Sequence, residues 1–189
     1  PETIACLFIP DTYEVFWTTS FDDFMKKMHK ANKRFWNQKR INEASALGMT
    51  PTQAGILASI VYGESKESAE QARIAGVYWN RFRTGMPLQA DPTIVFAWKD
   101  FSIKRVTGKY TAIKSPYNTY INKGLPPGPI AMPDISAIDA VLNAEKHDYI
   151  YFCADPNRPG YHAFETTYEA HMVNARKYAE WENKLGIKL

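Results

Sequence analysis

Residues 50–65 read TPTQAGILASIVYGES, a stretch that combines the start of an apolar helix with a carboxylate at its far end. Its first four residues, Thr-Pro-Thr-Gln, are typical of a helix N-terminus with Thr50 as the cap of a capping box. The apolar residues that follow predict a helix that ends at Tyr62 or Gly63. The stretch therefore predicts a core helix and leaves open whether Glu64 belongs to it.

Glu64 has two interpretations. Residues four apart share a helix face, so a helix that persists to Glu64 aligns it with Ile56 and Ile60, at the mouth of a buried stripe. Partial burial raises the pKa of a carboxyl group and keeps it protonated near neutral pH, as general-acid catalysis requires. Alternatively, Gly63 ends the helix and Glu64 is a solvated loop residue.

The residues beside Glu64 also bear on its role. Gly63 has no side chain, so it is expected to let a bulky substrate approach the carboxyl group. Ser65 is expected to hydrogen-bond polar groups nearby and to hold the carboxyl group in place. Glu67 and Glu70 lie among polar residues, which favours solvated or helix-capping roles for both.

A second acid and a polar loop are further candidates for a site. Asp91, in LQADPT, is the best candidate for the second carboxylate that glycoside hydrolysis usually needs, although Asp before Pro also forms turns. Tyr117, Asn118 and Thr119 offer phenol, amide and hydroxyl groups suited to sugar hydroxyl and acetamido groups. The same side chains often stabilise turns, so both interpretations stay open.

The remaining pattern predicts an α+β fold, with helices packed around a small, mostly antiparallel sheet. Residues 88–98 could form a short strand or a helix, and no linker interrupts the chain, so residues 1–189 are expected to form a single domain. The other predicted elements are a strand-like start at 3–17, helices at 21–37, 41–47, 68–83, 135–145 and 167–185, a loop at 115–134 and a hairpin formed by 149–154 and 161–165.

The composition excludes several classes of function. With 45% hydrophobic and 23% charged residues the chain is an ordinary globular domain, and its net charge of +3 comes without a dense basic block, so no nucleic acid is expected as partner. The four histidines and two cysteines fit no metal-ligand spacing, and no dinucleotide or phosphate-binding motif is present. No metal or cofactor is therefore predicted.

Several stretches together resemble the YceG-like endolytic murein transglycosylases of bacteria. They occur in the order expected for that family and cover nearly the whole chain, which makes the resemblance more specific than any single motif. The stretches are LFIPDTYEVFW, LASIVYGES, AGVYWNRFRTGMPLQADPTIVF, SPYNTYINKGLPPGPIAMP and YIYFCADPNRPGYHAF, the last continuing into YHAFETTYEAH.

The resemblance implies a lysozyme-like catalytic helix followed by a cleft, with Glu64 as the catalytic residue. In such a lytic transglycosylase one group protonates the glycosidic oxygen between N-acetylmuramic acid and N-acetylglucosamine, and then takes a proton from the muramyl C6 hydroxyl. The product has a 1,6-anhydro end, and no second carboxylate is needed. The residues implied to bind the glycan are Ser65, Gln89, Asp91, Tyr117, Asn118 and Thr119, with His162 and Glu169 nearby.

The resemblance also implies a longer protein, anchored in the cytoplasmic membrane, with this domain on the outer face. Its expected partners are peptidoglycan glycan strands, with peptidoglycan synthases as further candidates. The chain departs from the family pattern in having one acid at the Glu64 position, where two are usual, and in Met132-Pro133-Asp134, where Asn-Pro-Gly or Thr-Pro-Gly is frequent. A non-catalytic glycan-binding or scaffolding domain and a hydrolytic muramidase are therefore alternatives.

Overall fold

The computed structural model describes residues 2–103 and 105–184. Within these residues the fold is α+β, as predicted, with one antiparallel hairpin and otherwise helices. No helix in these two ranges is both long enough and apolar enough to span a lipid bilayer. The elements are α1 (Phe21–Phe35), α2 (Gln38–Ala46), α3 (Pro51–Glu64), α4 (Ser68–Thr84), α5 (Asp91–Trp98), α6 (Gly108–Thr111), α7 (Ile135–Leu142), β1 (Tyr151–Ala154), β2 (His162–Glu165) and α8 (Tyr168–Lys184).

Helix α3 is the centre of the core. All residues from 54 to 61 are buried around its circumference, and it packs against α2, α4, α5 and α7. The Thr50 hydroxyl accepts a hydrogen bond from the Gln53 N–H at 3.2 Å, and the Gln53 side chain accepts one from the Thr50 N–H at 2.8 Å. The predicted capping box is confirmed. Because Leu57 is almost fully buried, a Leu57→Ala substitution there is expected to cost about 2–5 kcal/mol.

The neighbouring helices begin and end close to their predicted positions. The Ser20 hydroxyl accepts the Asp23 N–H at 3.1 Å and caps α1, as predicted. Helix α2 begins one turn earlier than expected because the Asn37 side chain accepts the Arg40 N–H at 3.1 Å. Helix α4 ends at Thr84 and is capped by Gly85, whose φ of 69° lies in the left-handed region that glycine adopts without strain.

The prediction of strand-like structure at 3–17 is wrong. The chain forms a short 3-10 helix at Ile4–Leu7 and then runs without regular structure to α1. Its backbone is satisfied by α1 instead of a partner strand, because the Asn32 amide donates to the carbonyls of Cys6 and Leu7 at 3.0 and 3.1 Å. The apolar residues at the start of the chain therefore form a short 3-10 helix that packs against α1.

The hairpin and α8 form the other side of the fold. Strands β1 and β2 are antiparallel, with Phe152 opposite Phe164, as predicted, and α8 packs against both. Helix α8 begins with the Thr167 hydroxyl accepting the Ala170 N–H at 3.3 Å, so the cap is one residue later than the predicted Thr166. The predicted helix end at residue 185 lies outside the described residues.

The long loop before α7 is also confirmed, since residues 112–134 contain no helix or strand. For residues 88–98 the helical alternative is correct, as α5 shows. Helix α7 begins after Asp134 as predicted, but the Asp134 side chain makes no capping bond. The loop and α5 together stand opposite the end of α3.

Candidate active site

A cavity of about 560 Å³ opens beside the C-terminal end of α3. Its walls come from α3, α4, the start of α5, the hairpin and α8. A concave site of this size with convergent polar groups is what a small ligand or one part of a polymer requires. The polar and aromatic side chains that line it include Glu64, Arg81, Gln89, Asp91, Tyr120, Tyr151, His162 and His171.

Glu64 is the last residue of α3, and its carboxyl group borders this cavity. The Tyr78 hydroxyl donates a hydrogen bond to Glu64 Oε1 at 2.5 Å. The pKa of Glu64 is raised to about 8, mainly by burial and also by the nearby charge of Asp91, although the Tyr78 hydrogen bond and the Arg81 charge act in the opposite direction. The helical interpretation of Glu64 is correct, and the raised pKa favours the protonated form of its carboxyl group at neutral pH.

Two residues of α4 set the surroundings of this carboxyl group. Tyr78 is 1% exposed, and the Phe152 ring packs edge-on against it with ring centroids 5.7 Å apart. Arg81 is also buried, and its guanidinium donates to the carbonyls of Ile150 at 2.6 Å and Leu88 at 2.5 Å. Arg81 thus joins the chain entering β1 and the segment before α5 to α4, while its charge faces the cavity.

The start of α5 approaches α3 closely because of Gly63. A Cβ atom on Gly63 would lie 2.8 Å from Pro92 Cβ, closer than carbon atoms pack. The space in the Cβ direction of Gly63 is filled by Pro92, while the residue itself is exposed, so the role of this glycine in making room for substrate stays a prediction. In the structure Gly63 allows α5 to approach α3, which brings Asp91 to the cavity that Glu64 borders.

Asp91 and Gln89 also line the cavity, as expected for them. The Tyr120 hydroxyl donates a hydrogen bond to Asp91 Oδ1. Loss of hydration in the cleft raises the pKa of Asp91, and the bond from Tyr120 lowers it. Gln89 has a left-handed backbone with φ of 51°, and its N–H donates to the Thr119 carbonyl at 3.0 Å, which anchors this turn to the loop.

Comparison with known proteins supports the interpretation of this cavity as an enzyme site. The family model described as the YceG-like family matches residues 1–177. The chain belongs to the YceG-like family. It is 37% identical over 169 residues to the endolytic murein transglycosylase of Bacillus subtilis, covering 88% of this chain and 45% of that protein.

Two further relatives extend this comparison. The endolytic murein transglycosylase of Streptococcus pneumoniae is 31% identical over 150 residues, which cover 77% of this chain and 27% of that protein. The crystal structure of a YceG-like protein from Listeria monocytogenes superposes with a TM-score of 0.76 at 34% identity, covering 88% of this chain and 54% of that one. The chain therefore spans about half the length of these YceG-like relatives, or less.

Asn118 and Thr119, which the family resemblance put in the cleft wall, are buried behind it. Asn118 is 0% exposed, and its amide donates to the carbonyls of Thr111 at 2.9 Å and Ile113 at 2.8 Å. The Thr119 hydroxyl accepts the Ala90 N–H at 3.0 Å. The prediction that these two side chains line the cleft is wrong, because the loop uses them to satisfy its own backbone.

Three other predicted residues lie outside the residues that line the cavity. Tyr117 packs against Phe96, with ring centroids 4.8 Å apart. Ser65 is buried and its hydroxyl accepts the Glu67 N–H at 3.1 Å, so it stabilises the turn after α3 and does not hold the Glu64 carboxyl group. Glu169 is exposed in the first turn of α8. The expected place of Tyr117 in the cleft wall is therefore wrong, and Ser65 and Glu169 do not reach the cavity either.

His162 does line the cavity, and it is joined to Glu70. Glu70 is 4% exposed, which corrects the prediction of a solvated or capping role. Its Oε1 accepts the His162 N–H at 3.0 Å, and its Oε2 accepts from His162 Nδ1 at 2.9 Å. Glu67, by contrast, is exposed at the N-cap of α4, as predicted.

Tyr78, Arg81, Tyr120 and His171 were not among the predicted site residues. One signal for the first two was available, since Ile74, Tyr78 and Arg81 follow at intervals of four and three and therefore share the buried face of α4. Two polar groups on a core face indicate a buried network or a site. No comparable local signal exists for His171, whose ring stacks on Tyr151 with centroids 5.4 Å apart.

The arrangement favours acid–base chemistry over metal chemistry. No group of three or more His, Cys, Asp or Glu side chains within 2–103 and 105–184 is placed to hold a metal ion. The site instead offers one protonated carboxyl group, a hydroxyl donor and a buried cation around a single cavity. These groups can deliver a proton to a bound oxygen and then stabilise the carboxylate that remains.

Proposed function

We propose that this chain is the catalytic part of an endolytic peptidoglycan lytic transglycosylase, with Glu64 as general acid and then general base. The observation that carries the proposal is the raised pKa of Glu64, about 8, at the end of a buried helix beside an open cavity. The names of the Bacillus and Streptococcus relatives support murein as the substrate.

In the first step the protonated Glu64 donates its proton to the glycosidic oxygen between N-acetylmuramic acid and N-acetylglucosamine. The bond from that oxygen to muramyl C1 breaks with both electrons moving to the oxygen, which leaves an oxocarbenium-like sugar. The Tyr78 hydroxyl remains hydrogen-bonded to the new carboxylate, and the Arg81 charge stabilises it. Both groups act on the charge that develops in the transition state.

In the second step the muramyl C6 hydroxyl attacks C1 of the same sugar. The carboxylate of Glu64 takes the hydroxyl proton, so the acid is regenerated and no water is consumed. The ring closure is intramolecular, which removes much of the entropic barrier that a free nucleophile would meet. A single carboxyl group is sufficient for this cycle, in agreement with the one acid that borders the end of α3.

A hydrolytic muramidase is the second candidate, because Asp91 faces the same cavity. A second carboxylate could activate a water molecule on the opposite side of the sugar. The partnership of Asp91 with the Tyr120 hydroxyl favours an electrostatic role instead, since the hydroxyl occupies one of its oxygens.

We further propose that the chain acts outside the cytoplasm on glycan strands, as part of a longer membrane-anchored protein with peptidoglycan synthases as candidate partners. The family resemblance and the relatives' names support murein as the target, and the fraction of their length that this chain spans supports a longer protein. Fractionation of cells that express the full-length protein, followed by cross-linking, tests both statements. Recovery in the cytoplasmic fraction would contradict them.

Digestion of purified peptidoglycan sacculi, with mass spectrometry of the products, tests the reaction. We expect fragments from within the strands with 1,6-anhydro ends, lighter by one water than hydrolytic products. Glu64→Gln is expected to lower the rate by about 10²- to 10⁴-fold. Glu67→Gln, an exposed neighbour, is the matched control and should leave the rate unchanged. Reducing ends would indicate a muramidase, and binding without any cleavage would indicate a glycan-binding domain.

A further inference from the structure

A buried carboxylate–histidine pair lies beside the cavity and has no part in the proposed proton transfers. The side chains of Glu70 and His162 are 5% and 14% exposed, although 92 residues separate them in sequence. Burial of a carboxylate is unfavourable unless hydrogen bonds replace its water, and here two do so. The burial and pairing of these two side chains therefore indicate a role other than surface solubility or helix capping.

The two hydrogen bonds of Glu70 have different consequences. The bond from the His162 backbone N–H to Oε1 fastens the first residue of β2 to α4. The bond from the ring to Oε2 also joins β2 to α4, and in addition it controls the ring. Because a carboxylate only accepts hydrogen bonds, the hydrogen of the neutral imidazole must be on Nδ1.

The other nitrogen of the ring is then an acceptor with a fixed direction. The His162 ring packs edge-on against Phe152, with centroids 5.3 Å apart and an angle of 85° between the planes. Within the described residues no protein group hydrogen-bonds to Nε2, and His162 lines the cavity that Glu64 also lines. A bound molecule with an N–H or O–H group can therefore occupy this nitrogen.

We propose that Glu70 is a positioning residue that fixes the tautomer of His162, and that His162 Nε2 accepts a hydrogen bond from the bound glycan. The ligand identity rests on the proposed function. Amino sugars carry the required donors, namely acetamido N–H groups and ring hydroxyls. The hydrogen bond orients the sugar chain relative to the Glu64 carboxyl group.

Glu70→Gln tests the tautomer directly. The backbone N–H of His162 is a fixed donor, so the amide oxygen of the substituted side chain takes the place of Oε1 and its NH₂ group faces Nδ1. Nδ1 must then accept, and the ring hydrogen moves to Nε2. The variant keeps both hydrogen bonds and the packing, but it presents a donor to the cavity where the wild type presents an acceptor.

Nitrogen-15 NMR of labelled histidine is the first measurement, and it needs no activity. We expect the Nδ1–H form in the wild type and the Nε2–H form in Glu70→Gln, with Glu67→Gln unchanged as control. The second measurement is the Kd of a tetrasaccharide of alternating N-acetylglucosamine and N-acetylmuramic acid, taken in a Glu64→Gln background. Glu70→Gln should weaken binding by about 10- to 100-fold, because two donors then face each other.

A pair of substitutions at His162 keeps the test decisive if Glu70→Gln does not fold. His162→Asn puts an amide donor at the position of Nδ1, which keeps the bond to Glu70 and removes the acceptor at the position of Nε2. His162→Gln can place its carbonyl oxygen near the position of Nε2. We expect the asparagine variant to bind the tetrasaccharide at least about tenfold more weakly. The glutamine variant should retain more of the affinity.

An unchanged tautomer in Glu70→Gln, or full affinity in His162→Asn, would overturn the proposal and leave the pair with a purely structural role. Failure of the proposed function is a separate outcome. In that case the wild type would bind the tetrasaccharide without forming anhydro ends, or would not bind it at all, while the NMR result on the tautomer would still stand. Absence of binding by a wild type with the Nδ1–H form would overturn the glycan part of the proposal.

Discussion

The two walls of the cavity differ in how their polar side chains are used. The helical wall consists of Glu64, Tyr78 and Arg81 at the end of α3 and on α4, where Tyr78 contacts Glu64, and Arg81 faces the cavity while it also donates to two backbone carbonyls. The loop wall consists of residues 89–91 and 118–120. There, Asn118 and Thr119 turn inward and only the outer side chains reach the cavity.

The difference follows from the backbone. A helix satisfies its own N–H and C=O groups, so its polar side chains are free to face a ligand or each other. A long loop has no such ladder, and its buried carbonyls need partners from side chains. Asparagine and threonine in such a loop are therefore weaker evidence for ligand binding than the same residues on a helix. The following predictions test this contrast, from the largest expected effect to the smallest.

Removal of the Asn118 side chain should damage the loop wall most. Asn118→Ala loses two bonds to carbonyls and one from the Tyr120 N–H, so the free energy of unfolding should fall by about 3 kcal/mol. Urea denaturation measures it. The exposed Asn157→Ala is the control and should change stability by less than about 0.5 kcal/mol. A loss as small as that of the control would show that the loop wall does not depend on this side chain.

The helical wall should instead gain stability when its acid is removed. The pKa of Glu64 is about 8 in the folded protein, whereas the ordinary value of 4.5 applies to the unfolded chain. Between these two pH values the unfolded chain loses the proton of Glu64 while the folded chain keeps it. Wild-type stability therefore falls as the pH rises from about 4.5 to about 8. The full difference corresponds to at most about 5 kcal/mol.

Glu64 is only partly buried beside an open cavity, and solvent screening reduces this amount, so Glu64→Gln should be more stable than the wild type by about 2 kcal/mol at pH 8. At pH 4 the two proteins should be equally stable, because Glu64 of the wild type is then protonated in both the folded and the unfolded state. Urea denaturation at the two pH values gives the comparison. A difference that is largest at pH 4 would contradict the raised pKa.

Loss of the Tyr78 hydroxyl should change the pH dependence of turnover. This hydroxyl lowers the pKa of Glu64 by donating to its charged form, so Tyr78→Phe should raise the pKa and move the alkaline limb of the rate profile to higher pH. Turnover at the optimum should fall about tenfold, because a donor to the developing carboxylate is lost. Tyr13→Phe is the control, because the Tyr13 hydroxyl donates to the Ile9 carbonyl and does not line the cavity. A limb that moves to lower pH would exclude this role.

The smallest expected effect is that of a charge in the loop wall on the acid of the helical wall. The negative charge of Asp91 raises the pKa of Glu64, so Asp91→Asn should lower that pKa and move the alkaline limb to lower pH. The amide can still accept the hydrogen bond from Tyr120, which keeps the geometry. Asp148→Asn, on the exposed surface, should leave the profile unchanged. An unchanged pH–rate profile in the Asp91 variant would show that the charge of Asp91 does not affect the pKa of Glu64, so that the two walls are not coupled electrostatically.

Local patterns were sufficient for much of the fold and for candidate residues of the site. The capping box at Thr50 and the hairpin before α8 follow from neighbouring residues alone, whereas the local pattern left open whether the apolar helix extends to Glu64. The position of Asp91 on the cavity was implied by the family resemblance, since the local motif alone left a turn role equally open. The first strand at 3–17 was predicted wrongly, because a strand needs a partner that the local sequence does not specify.

The sequence by itself determined most of the helices and the hairpin, the family the chain belongs to, and Glu64 as a candidate acid near the end of the central helix. Only the tertiary structure decided that Tyr78 would meet Glu64, that Pro92 would fill the space at Gly63, and that Glu70 would be buried against His162. Capping and periodicity depend on neighbours within a few residues. Proton affinity and tautomer depend on burial and on partners brought together by packing from distant parts of the chain.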